Sequence, residues 1–106
     1  NMINASKNLM RILYKTRDLR TFELLFRSFL KSNAENAGND VKPKKIMVAR
    51  FLLHTDHYGE KTEQFRNIIV DSTREILGVV VSRVPPLNEE ELERYEFDNL
   101  DIVDFV

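Results

Sequence analysis

The chain of 106 residues contains no cysteine and no tryptophan, and only three glycines and three prolines. Without cysteine there are no disulfides, no thiolate metal sites and no cysteine nucleophile. So few glycines leave no Gly-rich loop to cradle a phosphate, and no Gly-x-Ser-x-Gly elbow is present. No apolar run approaches the roughly 20 residues of a membrane span, and the first residues lack the apolar core of a signal peptide. The expectation is an intracellular protein, nuclear or cytoplasmic. "NMINAS" does not read as a natural start, so the expected object is a domain of a larger regulatory protein.

What is present fits one soluble domain spanning 1–106, with 42% apolar and 31% charged residues. The net charge of −1 conceals an uneven distribution. Residues 1–50 hold 11 Lys and Arg against 4 Asp and Glu, whereas residues 51–106 hold 5 against 13. Halves of +7 and −8 can pair within one fold, pair between copies, or face different partners.

Local patterns divide the chain. Met2, Ala5, Leu9, Ile12 and Leu13 keep helical spacing, and so do Phe22, Leu25, Phe26, Phe29 and Leu30 after an Asp18 N-cap. The expected result is a helical hairpin over 2–31. "KSNAENAGNDVKPKK" reads as a flexible basic linker over 32–45. "IMVARFLL" is short and apolar; its length and flanking turn signals favour a buried strand over a buried helix. Phe65, Ile68, Ile69, Ile76 and Leu77 predict a helix that Thr62 caps and Gly78 ends. "VVVSRV" then reads as a strand because β-branched residues suit a pleated surface. The expected fold is α+β and predominantly helical, the hairpin packing on a strand-helix-strand unit over 46–84. The alternative is an all-α bundle. "NEEELERY" predicts a short helix capped by Asn88 at the head of an acidic segment over 87–106.

His54, Asp56 and His57 are the one cluster of metal-ligand types, but zinc needs three or four ligands and no further one is marked. A polar turn is the plainer reading. Ser, Thr and His occur without catalytic context, and the acids of 89–104 read as a solvated face rather than a carboxylate pair across a cleft. The expectation is therefore no enzyme, no cofactor, no metal, no membrane and no small-molecule substrate.

Recognition is expected to use charge. Arg11, Lys15, Arg17, Arg20, Arg27 and Lys31 decorate the hairpin, and Lys42, Lys44 and Lys45 the linker, all read as facing outward. The acidic tail interleaves Phe97, Leu100, Ile102 and Phe105 with Asp. The partner-binding candidates are Arg11, Arg17, Arg20, Lys44, Lys45, Phe97, Leu100, Ile102 and Phe105, in a protein-protein interaction or oligomerisation domain. The alternative is a small nucleic-acid-binding module, salt-dependent through its cations. "FRNIIVDSTREILGVVV" resembles the long helix leading into a strand of winged-helix modules, without a motif residue. Against that alternative, the pI is about 6.2, and the phenylalanines sit at core spacing rather than as a base-stacking platform. In the tail, "LDIVD" resembles a SUMO-interacting segment, "FDNL" an autophagy-adaptor motif and "DFV" a PDZ ligand. The plainer reading is a segment packed on the domain's own core.

Overall fold

A computed structural model describes residues 2–32, 41–55 and 58–94. Among these residues five helices follow one another: α1 (Met2–Lys15), α2 (Leu19–Lys31), α3 (Val41–Leu53), α4 (Thr62–Leu77) and α5 (Glu89–Arg94). Short 3-10 turns lie at Gly59–Lys61 and Val81–Arg83. There is no strand among the described residues, so the strand-helix-strand unit is not formed and the all-α alternative fits.

The end of α1 and the start of α2 are each set by a single side chain. Thr16 folds its Oγ1 back to donate to the Ile12 carbonyl at 2.7 Å, closing α1. Asp18, in extended backbone, accepts from the Thr21 amide at 2.8 Å and its hydroxyl at 2.6 Å. A carboxylate there satisfies amides that have no partner within the helix, and it matches the positive end of the dipole. Phe22, Phe26 and Leu30 then recur at helical spacing and are buried. α2 packs chiefly on α4, while α1 rests on α3 and α2. The expected close pairing of α1 with α2 is thus the lesser of α2's contacts.

α3 replaces both the second part of the expected linker and the first expected strand. It begins at Val41 with Pro43 in its first turn, where a missing N–H costs nothing. Lys45, Val48, Ala49 and Leu52 are buried at helical spacing, while Ile46, Met47, Arg50 and Phe51 are half-buried on the other sides. A helix embedded on most of its circumference shows no clean apolar stripe, so periodicity carries no signal for it.

α4 is the central element and contacts both α2 and α3. It turns Phe65, Ile69, Ser72 and Thr73 inward. Lys61 precedes it without a side-chain cap, and Thr62 is its first residue, donating to the Gly59 carbonyl at 2.6 Å. Gly78 ends it at φ 72°, a left-handed conformation that costs glycine little. "VVVSRV" does not form a strand. Its amides bond three residues back, Arg83 to Val80 and Val84 to Val81, and Val81 alone plugs the core beside α3 and α4. A strand needs a ladder partner, and three β-branched residues cannot create one.

Candidate functional site

The core centres on four rings. Phe22 meets Phe65 edge-on at 4.9 Å between centroids, and Tyr58 stacks on Phe65 at 3.9 Å. Phe22 also contacts Phe26 at 5.8 Å and Tyr58 at 5.7 Å. Phe22, Phe26 and Phe65 are consumed in packing, as their spacing predicted, and Tyr58, within the segment read as a polar turn, joins them. Phe97 and Phe105 lie outside the described residues, as do Leu100, Ile102 and the tail motifs.

Around this core, helix C-terminal carbonyls receive donors from other elements. The Tyr58 hydroxyl donates to the Leu13 carbonyl of α1 at 3.0 Å. Lys45 donates to the Leu30 carbonyl of α2 at 3.1 Å and also to that of Ser32. Arg66 donates through Nε to the Leu53 carbonyl of α3 at 2.8 Å. The last carbonyls of a helix have no intrahelical partner and carry its negative end, so a cation there is favourable. Burial pushes the Lys45 ammonium below its ordinary value and the Tyr58 phenol above its own.

The two halves of opposite charge meet inside the fold. Arg27 of α2 makes a two-pronged bond to Glu75 of α4 at 3.1 and 3.3 Å. Those hydrogen bonds hold the Glu75 carboxyl below the usual range and raise Arg27. Arg50 of α3 grips Glu91 of α5 in the same manner, at 3.0 and 3.3 Å. Its Nε also donates to the Pro85 carbonyl at 2.9 Å, and Nη2 reaches the Pro86 carbonyl at 3.4 Å. Glu91 is in turn half of a capping box. Its amide donates to Asn88 Oδ1 at 2.8 Å, and its carboxylate accepts from the Asn88 amide at 3.2 Å. The Arg50 bonds first, then the Asn88 amide, lower the Glu91 carboxyl.

Beside Arg50 lies a groove of about 320 Å³ lined by Phe51, His54, Thr55, Pro86, Leu87 and Leu92. The ring of His54 approaches the Val84 carbonyl at 3.4 Å. Asp56 and His57 lie outside the described residues. Among the described residues no three His, Cys, Asp or Glu side chains gather as metal ligands. A second hollow of about 290 Å³, lined by Arg17, Tyr58, Glu60, Lys61 and Phe65, opens near the start of α2.

The candidate cations do not form one patch. Arg17 precedes Asp18 and Arg20 lies in the first turn of α2, both exposed, whereas Lys44 and Lys45 stand on α3 near the end of α2. The 13 residues of α2 hold those ends about 18 Å apart. Lys45 is only 7% exposed and serves the α2 terminus, and Lys44 is half-buried. Arg11 is half-buried, its Nε without a partner. Arg27, read as an outward cation, is bonded to Glu75. Sequence reasoning passed over Arg50 and Glu91, although an arginine inside "IMVARFLL" is itself a signal, since a charge in an apolar run needs a partner.

The outer face of α2 remains open. Arg20, Leu24, Ser28 and Lys31 recur there at helical spacing, opposite Phe22, Phe26 and Leu30, and all four are exposed. Leu24 is 57% exposed, and Ile12 of α1 is 52% exposed. No helix of the described residues is long and apolar enough to cross a membrane. The described residues form an all-helical fold whose charged halves are joined by Arg27–Glu75 and Arg50–Glu91. The chain matches no protein-family model, no curated protein and no solved structure.

Proposed function

We propose that the chain is a non-enzymatic helical interaction module whose outer α2 face docks on an acidic protein surface. The observation that carries this is Leu24, a large apolar side chain left in solvent between Arg20 and Lys31. An apolar centre with a charged rim is the anatomy of a protein interface. Leu24 would supply the contact, while the cations set orientation and encounter rate. A complementary surface exists on another copy of the same chain, where Glu89, Glu90 and Glu93 of α5 are exposed. Head-to-tail association is therefore the form of the proposal put to the test. The nucleic-acid alternative has less support. It used the cations of the hairpin and of the segment 42–45, of which Arg27 is bonded to Glu75 and Lys45 is buried, and no wing strand occurs among the described residues.

The test is mass by light scattering over a concentration series. Association is expected at about 50 mM salt and its loss at about 500 mM, where charges separated by more than a few ångström are screened. Leu24→Glu is expected to be monomeric at both. A wild-type protein that stays monomeric throughout removes self-association as the function.

A further inference from the structure

α5 differs from the other helices in how it is held. It has six residues and buries none of them. Leu87 and Leu92 are only half-buried against the core, and the groove beside Arg50 runs between them and Phe51. The polar attachment falls on one side chain. Among the described residues, Arg50 is the one from α1 to α4 that bonds the Pro85 carbonyl, the Pro86 carbonyl and both oxygens of Glu91. Arg50 itself is fixed, because Val48, Ala49 and Leu52 bury the opposite sides of α3.

We propose that residues 85–94 form a strap that opens from α3 as a unit, with Arg50 as its latch, while α1 to α4 stay folded. The proposal is independent of the reading of the α2 outer face. Opening breaks no helix of the body and removes no fully buried side chain from the core, so it lies at the low-stability end of the fold's local unfolding events. It uncovers the side of α3 that bears Phe51 and His54, and it frees the Arg50 guanidinium for another carboxylate. The groups facing Glu91 are Arg50 from α3 and, from its own segment, Arg94 and the Asn88 amide. Arg94 is itself paired with Glu90 at 3.2 Å, and His54 stands across the groove. Because Arg50 favours the charged form of Glu91, the latch holds above the ordinary carboxylate value and loosens as pH falls through the lowered one.

The test is amide exchange followed residue by residue. The Leu92 amide bonds the Asn88 carbonyl at 3.0 Å and reports the strap, whereas the Gly78 amide bonds the Arg74 carbonyl at 3.0 Å and reports α4. Glu91→Gln removes the charge but keeps an acceptor for the Asn88 amide. In that variant Leu92 is expected to exchange about tenfold faster, with Gly78 unchanged. In the wild type, raising salt from about 50 mM to about 1 M is expected to accelerate Leu92 alone, by about two- to threefold. If Leu92 and Gly78 accelerate together, or neither responds, residues 85–94 are not a separately opening strap.

Discussion

At the scale of single residues, Thr73 is the clearest test of how polarity is handled inside this protein. It is fully buried on α4, and its hydroxyl has no partner. A buried hydroxyl that bonds nothing has lost water and gained no replacement, so removing it without leaving a void is favourable. Thr73→Val keeps the branched shape and is expected to stabilise the fold by about 0.5–1 kcal/mol, read as a higher urea midpoint at unchanged slope. A lower midpoint would mean that the hydroxyl finds a partner in solution. Lys45 is the opposite case. It too is buried, but its ammonium donates to the Leu30 and Ser32 carbonyls at the C-terminal end of α2, where a cation meets the negative end of the helix. Nothing in "KPKKI" distinguishes Lys45 from Lys44. The difference arises only where α3 crosses the end of α2, and a sequence read one segment at a time does not contain that crossing.

At the scale of elements, boundaries were easier to read than identities. Asp18 and Asn88 are caps because short polar side chains reach the amides two or three residues on, a local interaction visible in sequence. Gly78 marks the end of α4 for an equally local reason, and its contribution can be measured. A Cβ placed there meets nothing within 4 Å, so any penalty comes from the backbone at φ 72° rather than from crowding. Gly78→Ala is expected to cost about 1 kcal/mol through left-handed strain, seen as a lower thermal midpoint with an unchanged helical spectrum. An unaffected midpoint would show that the turn relaxes out of that conformation. α3 and "VVVSRV" were misread as strands because β-propensity measures fit to a sheet, and here no sheet offers neighbours. With α2 and α4 supplying the surroundings, Val48 and Val81 pack as well from a helix and a 3-10 turn.

At the scale of the whole molecule, the imbalance between the halves turns out to be partly internal. Arg27–Glu75 and Arg50–Glu91 each join the cationic half to the anionic one, while Arg20 and Lys31 are among the cations, and Glu89, Glu90 and Glu93 of α5 among the anions, that stay exposed. The same pairs govern the response to pH. Asp18, Glu75 and Glu91 are all held below their ordinary values of 3.8, 4.5 and 4.5 by hydrogen bonds, first from Thr21, Arg27 and Arg50 respectively. Each therefore contributes stability that is complete above its ordinary value and is lost as pH falls through the lowered one. On the alkaline side Tyr58 acts with the other sign. Burial keeps its phenol protonated above the ordinary 10.0, so its contribution is complete below that value and is lost as the unfolded chain ionises. Lys45 opposes this. Its folded ammonium is disfavoured, so stability rises as pH climbs toward 10.5 and the unfolded chain gives up the same proton. The larger displacement belongs to Tyr58, and it decides the limb. Chemical denaturation midpoints are expected to be flat between about pH 6 and 9, falling below about pH 4.5 and again above about pH 10. Tyr58→Phe is expected to lower the plateau by about 1 kcal/mol, because the Leu13 carbonyl loses its donor, and to abolish or invert the alkaline fall by leaving Lys45 unopposed. An alkaline limb unchanged in that variant would show that another group, not the buried phenol, sets it.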